Sequence, residues 1–155
     1  MSQAFTTYPE RPMTATGRLT YQPGSLEARG LLAFDDAELE GGLIRMHAQW
    51  LESGKADFRV RAAPDLAWGF QMQRATAMVD FAKNSGHFEL LGGDASLGFP
   101  RNEYEADMNQ ADWDIRAKKI SIQKGSGIEA RMTSTRASQE GLNFLAHRAE
   151  FFLLP

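Results

Sequence analysis

Three histidines and a pair of nearby aspartates are the side chains of this sequence best suited to acid–base or metal chemistry. His47, His87 and His147 are far apart along the chain, and none stands at the ligand spacing of a zinc motif. Folding alone would have to assemble a metal site from them. The sequence therefore predicts no metal and no other cofactor, with each imidazole near a turn or on a solvent-exposed face.

Asp112 and Asp114 are the carboxylates closest to a catalytic arrangement. On a strand they share one face, with side chains about 7 Å apart, and glycoside cleavage uses a pair of carboxylates. They flank Trp113, which then points to the opposite, buried side. A solvated strand face has the same pattern, so we expect no catalytic residues, with a carbohydrate-binding or carbohydrate-active β domain as the alternative.

Nucleophile and phosphate-binding motifs are not recognisable in the sequence. Ser134 and Thr135 have no histidine in a known nucleophile context, and Gly92-Gly93 lacks the lysine that follows a phosphate loop. Cysteine is absent, which removes thiolate nucleophiles and disulfides. The sequence therefore predicts a protein that is not an enzyme.

The three tryptophans have different sequence surroundings. Trp50 and Trp113 each follow an alanine and a polar residue, a position taken elsewhere by leucine or phenylalanine, and this favours core packing. Trp68 follows the Pro64-Asp65 turn, outside that pattern. Trp68 is therefore the candidate for a surface contact, since an exposed indole offers a stacking platform.

One short motif recurs along the chain: alanine, a polar residue, then a large apolar residue. We call it the Ala-polar-large motif; its copies are 37–39, 48–50, 56–58, 111–113 and 149–151. Its period of two is typical of a half-buried strand. Repeated strand units bury their apolar faces against one another.

Longer alternating runs extend the same prediction, separated by turns at residues 22–25, 35–36, 41–42, 63–65 and 83–86. Residues 43–52, 104–115 and 142–152 also contain helical spacings, and 44–52 is the segment closest to a helix. We interpret all three as strands, because the Ala-polar-large motif recurs in each. The predicted fold is all-β, with stacked antiparallel hairpin repeats that form an open solenoid or groove, or a flattened sandwich.

Composition bounds the domain and its partners. The formal net charge of -3 with interspersed signs does not suit nucleic acid, and no apolar run reaches the roughly 18 residues of a membrane span. Residues 1–16 contain prolines and little periodicity, so we expect an irregular lead-in there. Residues 17–155 are predicted to form one repetitive β domain, truncated at its C-terminal end because the chain stops within an apolar run.

Ordered motifs between Trp68 and Leu154 resemble a repeat of very large, uncharacterised bacterial proteins. The motifs are 79–81, 86–89, 99–104, 111–115, 133–135, 139–144 and 149–151. The units 26–40 and 95–122 are similar to the hairpin repeats of periplasmic lipopolysaccharide-transport bridge proteins, which stack antiparallel hairpins into an open groove. The second resemblance implies lipid handling in the cell envelope or periplasm, and neither implies catalytic residues. No signal sequence is visible in the first residues.

The functional prediction is a non-catalytic structural or binding segment of a larger cell-envelope repeat protein. Its inward row is expected to pack a core or to line a lipid-accommodating groove; it comprises Leu32, Phe34, Val79, Phe81, Leu97 and Phe99. Edge strands are expected to pair with flanking repeats of the same chain or with another copy. Lipid is the candidate ligand, and nucleic acid is not expected.

Overall fold

The computed structural model describes residues 2–8, 11–92, 96–124, 130–134, 143–146 and 148–153. These residues form strands and one short 3₁₀ helix, Pro100–Asn102. The strands are β1 Ser2–Tyr8, β2 Arg11–Gln22, β3 Ser25–Phe34, β4 Ala37–Met46, β5 Trp50–Val60, β6 Phe70–Asp80, β7 Ser85–Leu90, β8 Ser96–Phe99, β9 Tyr104–Ala106, β10 Gln110–Asp114, β11 Lys119–Gln123, β12 Ala130–Ser134, β13 Asn143–Ala146 and β14 Arg148–Phe152. The all-β prediction is confirmed. In these ranges no helix has the length and apolar character needed to cross a membrane.

All described strand pairs are antiparallel and belong to one open, branched sheet. Its main path runs β1-β2-β3-β4-β5-β6-β7-β10-β11-β14. The sheet branches at β6, whose first half pairs with β8 while its second half pairs with β7. The branch continues through β9 and β12 to β13.

Tight turns join the long consecutive strands where the sequence predicted them. Asp35 and Asp36 connect β3 to β4 with φ values of 48° and 59°, the positive pair that a two-residue hairpin turn of type I′ requires. Asn84, at φ 51°, ends the turn between β6 and β7. Residues 61–69 form the loop that contains the predicted Pro64-Asp65 turn.

A crease crosses the sheet where the alternation of buried and exposed residues slips by one position in β4, β5 and β6. We define the crease by a row of small residues in register across five strands: Gly17, Gly30, Gly41, Ala56 and Ala75. The slips coincide with β-bulges next to this row, and bulges bend a strand and increase its twist. Small residues let the backbones approach closely at the bend.

Aromatic side chains on the inner face show that the sheet curls over on itself. Phe34 on β3 lies 6.2 Å from the ring of Trp113 on β10, although four strands separate β3 from β10 in the sheet. Trp113 also lies 5.1 Å from Phe58, which stacks on Phe88 at 4.0 Å. At the other end, Phe99 of β8 stacks on Phe151 of β14 at 3.8 Å. The two arms of the branched sheet therefore enclose one core.

The six residues predicted to line a core or groove are all buried in this core: Leu32, Phe34, Val79, Phe81, Leu97 and Phe99. Their exposed fractions do not exceed 8%. Dense packing of these side chains leaves them out of contact with solvent.

Several local predictions require correction. The irregular lead-in predicted for residues 1–16 is wrong for its described part, because β1 and the first half of β2 pair there. Pro12 lies at a register irregularity between the pairs of Arg11 and Met13, where no ladder donor is needed. The turn predicted at Gly41-Gly42 is also wrong, because these residues lie inside β4 at the crease. By contrast, the interpretation of residues 43–52 as strand rather than helix is confirmed: β4 extends to Met46, β5 begins at Trp50, and a turn joins them.

Candidate functional site

A histidine between two carboxylates forms a cluster of ionisable groups on the outer, solvent-facing side of the sheet. His87 of β7 faces Asp112 of β10 through the strand register. Its Nδ1 lies 2.7 Å from Asp112 Oδ1, and its Nε2 lies 3.1 Å from Glu89 Oε1. The imidazole separates the two carboxylates instead of converging with them on one point. In the described part of the chain, no three such side chains are arranged to hold a metal ion.

The pKa of His87 responds to two opposing effects. Partial burial disfavours the charged imidazole, but hydrogen bonds and charge from Asp112 and then Glu89 outweigh it. The pKa of His87 is therefore raised above its ordinary value of 6.5. The side chains of all three residues are close to half exposed, so solvent screens the interaction. The imidazole of His87 therefore keeps its proton to a higher pH than an isolated histidine does.

A row of polar side chains continues from this cluster toward the end of the sheet. Gln110 Nε2 donates to Glu89 Oε1 at 3.4 Å, and Gln123 Nε2 donates to Gln110 Oε1 at 3.2 Å. The next residue in register is Arg148 of β14. The outer face of β7, β10 and β11 is thus a hydrogen-bonded polar ladder that reaches the edge strand.

The two candidate catalytic carboxylates are engaged in different contacts. Asp112 contacts His87, whereas Asp114 Oδ1 accepts a hydrogen bond from the backbone N–H of Ala117 at 3.0 Å and caps a turn. Trp113 between them points inward and is buried. Ser121 pairs with Asp112 on the side away from His87, so the carboxylate stands between hydroxyl and imidazole. A nucleophilic triad requires the imidazole in the middle.

Trp68, the predicted surface contact, is half-buried in the loop between β5 and β6. The guanidinium carbons of Arg59 and Arg61 lie 5.4 Å and 4.6 Å from the ring centroid. Both arginines therefore lie beside the indole and make cation–π contacts with it. Arg59 is also held by Glu38, with a 2.6 Å contact between Nη2 and Oε2.

Of the other predicted chemical residues, His47 lies beside the turn between β4 and β5. It stacks on Trp50 at 3.9 Å and contacts Glu52 at 3.4 Å. Trp50 is half-buried, not a core residue like Trp113. His147, Gly93 and Thr135 lie outside the described residues.

A large open depression, about 1190 Å³, lies over the crease. Two of the charged side chains along it have contacts within the chain: Glu52 contacts His47, and Asp57 accepts a hydrogen bond from the backbone N–H of Arg74 at 2.9 Å. Acidic and basic residues are mixed around it, so it favours no single charge of ligand.

The edge strand β14 differs from the other strands that carry the Ala-polar-large motif. The apolar residues of the motif are buried in β4, β5 and β10, with exposed fractions of at most 3%. In β14 the equivalent residues, Ala149 and Phe151, are only half-buried. Among the described strands β14 pairs with β11 alone. The inner face is therefore covered less completely at this edge.

Sequence reasoning missed the contact between His87 and Asp112. Glu89 could have been found, because it stands two residues from His87 and so shares its face of the strand. Asp112 lies 25 residues further on, and β8 and β9 intervene. Comparison of the chain with protein-family models, curated proteins and solved structures gives no match.

Proposed function

We propose that the chain is a non-catalytic structural segment of a larger β-repeat protein, in which strands of neighbouring segments continue its open sheet. The observation that carries the proposal is the partial exposure of Ala149 and Phe151 at the edge, whereas the equivalent residues of the motif in β4, β5 and β10 are buried. An additional strand would cover these side chains and satisfy the outward backbone groups of β14.

The packed interior supports a structural role more than a lipid groove. A groove that accommodates acyl chains needs accessible apolar residues in a continuous line. The residues expected to provide that line are buried against one another, as with Phe34 and Phe81, whose rings meet edge to face at 5.5 Å. Burial of this kind stabilises the fold by about 1.5–3 kcal/mol for each large side chain.

The carbohydrate alternative draws less support from the site. Asp112 and Asp114 serve a histidine contact and a turn cap, and Trp113 faces away from them. The proposed location in the cell envelope rests on the resemblance to the bridge proteins alone, and fractionation of the producing cells with an antiserum tests it. Recovery in the cytosolic fraction alone would contradict an envelope role.

Amide exchange in the full chain tests the continuation of the sheet. A peptide with the β1 sequence, Ser2–Tyr8, represents the first strand of a following segment and is added at millimolar concentration to the ¹⁵N-labelled protein. We expect slower exchange of the Glu150 N–H, which faces the edge, and no change at Ala149, which already bonds to β11. The N–H groups of Arg148 and Phe152 face the same edge and should also be protected; the variant Glu150→Pro removes the central donor and should abolish their protection. Equal exchange with and without the peptide contradicts the proposal.

A further inference from the structure

The backbone of β14 shows which groups a partner strand would meet. The N–H of Leu153 donates to the carbonyl oxygen of Lys118 at 2.7 Å. Backbone groups point to alternate sides along a strand, so those of Ala149 and Phe151 also face β11. The N–H and C=O groups of Arg148, Glu150 and Phe152 therefore face the other edge.

Core contacts anchor the inner side of the strand. Phe151 stacks on Phe99, and Leu153 is buried close to Gly69. An ordered edge costs little conformational entropy when a partner strand adds to it. The outer side chains Arg148, Glu150 and Phe152 are exposed. Within the described part of the chain, Glu150 Oε1 has only long, solvent-exposed contacts, at 3.5 Å to Arg148 Nη2 and 3.8 Å to Lys119 Nζ, which contribute little.

We infer that the partner of this edge is β14 of a second copy of the chain, paired antiparallel about a twofold axis through Ala149. This inference rests on the proposed function and names the occupant of the edge. In this register Arg148 of each copy lies opposite Glu150 of the other, and these are the residues whose backbone groups face outward. Ala149 meets its own equivalent on the inner face.

Charge decides between the registers that the backbone allows. Antiparallel pairing must match outward-facing residues with one another, which any twofold axis through a residue of β14 does. The axes through Phe151 and Phe152 bring no opposite charges of β14 together, and the axis through Arg148 sets two arginines opposite. The axis through Glu150 sets two like carboxylates directly opposite, which is destabilising. A parallel arrangement in register opposes Arg148 to Arg148. The axis through Ala149 gives two reciprocal ion pairs, and it places Phe151 diagonal to the partner's Ala149, within reach of an aromatic ring.

Such a contact is small, so it suits copies that are held close together. Two strands of this length form only a few hydrogen bonds, and we expect association in the high micromolar to millimolar range. Segments joined within one larger assembly have effective concentrations of that order. Self-pairing would then join two assemblies edge to edge.

Variants that reverse the charges of Arg148 and Glu150 test the inference. Sedimentation equilibrium of the full chain, at concentrations up to millimolar, measures the molecular mass in solution. The wild type should approach the mass of a dimer. Arg148→Glu and Glu150→Arg should each weaken association by roughly tenfold, because each sets like charges opposite one another. An equimolar mixture of the two variants should associate, since every Glu then meets an Arg, and the double exchange should restore the wild-type behaviour.

Glu105→Arg is the matched control, because it changes the net charge equally on β9, a strand paired on both edges. Its association should equal that of the wild type. A monomeric wild type, or a mixture that stays monomeric while the wild type associates, overturns the self-pairing. If the β1 peptide still slows exchange at Glu150, the proposed function survives that result. If neither the peptide nor a second copy protects Glu150, both proposals fail.

Discussion

Glycine substitution at the crease gives the sharpest prediction about the fold. Gly17 and Gly30 are paired across β2 and β3 at φ values of 131° and 126°, a region that residues with a side chain rarely adopt. A Cβ on Gly30 would overlap the carbonyl oxygen of Thr16, and one on Gly17 would overlap that of Arg29. Neither neighbour can rotate away, because both atoms belong to the paired backbone.

The magnitude for Gly30→Ala follows from these two effects. Forcing a strained backbone conformation costs about 1–3 kcal/mol, and displacing the paired strand adds to it. We expect a total loss of about 3 kcal/mol or more in the free energy of unfolding, a large part of the 5–15 kcal/mol typical of a domain. At the usual slopes of about 1–3 kcal/mol per molar urea, the midpoint should fall by at least about 1 M.

Gly42→Ala is the control for this variant. Gly42 is adjacent to the crease in β4, but its φ is not positive and a Cβ there would meet nothing within 4 Å. Alanine at such a site changes stability by less than about 1 kcal/mol and tends to stabilise. Urea unfolding followed by tryptophan fluorescence measures both variants. A Gly30→Ala midpoint equal to that of Gly42→Ala would refute the described geometry of the crease.

Three further substitutions probe the bulge, the core and the imidazole. Ser53→Ala should cost about 1–2 kcal/mol in urea unfolding, because the buried Oγ donates to the carbonyl of Leu43 at 2.7 Å; an unchanged midpoint would show that the bulge does not need this bond. Phe99→Ala should lower the free energy of unfolding by about 3–5 kcal/mol, whereas Met78→Ala, at a half-exposed residue, should lower it by less than about 0.5 kcal/mol. Equal losses would contradict the burial of Phe99 in an enclosed core. His87→Gln should destabilise the fold at pH 5 and have little effect at pH 9. Because the pKa of His87 is raised in the folded state, the protonated imidazole stabilises the fold fully below the unfolded pKa near 6.5. This stabilisation is lost as the pH rises through the folded-state pKa. The difference should stay below about 1 kcal/mol because the pair is exposed, and a loss confined to high pH would contradict the sign.

The alternation of residue types was sufficient to predict the strands after residue 17, but not β1 or the first half of β2. The Ala-polar-large motif marks strand residues in four of its copies, at 37–39, 56–58, 111–113 and 149–151. The copy at 48–50 lies at the turn before β5, where Ala48 is exposed. At this copy the geometry of the turn, and not the alternation of a strand, determines which side chains are exposed.

The crease could not be recognised from residue types alone. A slip in a period of two has the same appearance as the end of one strand and the start of another, and Gly41-Gly42 is as suitable for a turn as for a bulge. Only the pairing of neighbouring strands shows that Gly30, Gly41 and Ala56 stand in one row. The same limit applies to His87 and Asp112, since pairing between distant strands is not encoded in local spacing.

Disulfide formation at Ala149 tests the pairing of the edge most directly. The chain has no cysteine, so Ala149→Cys provides a single thiol. In the twofold register through this residue the two copies form a non-hydrogen-bonded pair with Cα atoms about 4.5 Å apart, within the range of a disulfide. Under mild oxidation at high protein concentration we predict a covalent dimer from Ala149→Cys that forms faster than from Glu150→Cys. Faster dimer formation from Glu150→Cys, or equally slow reaction at both positions, would contradict this account.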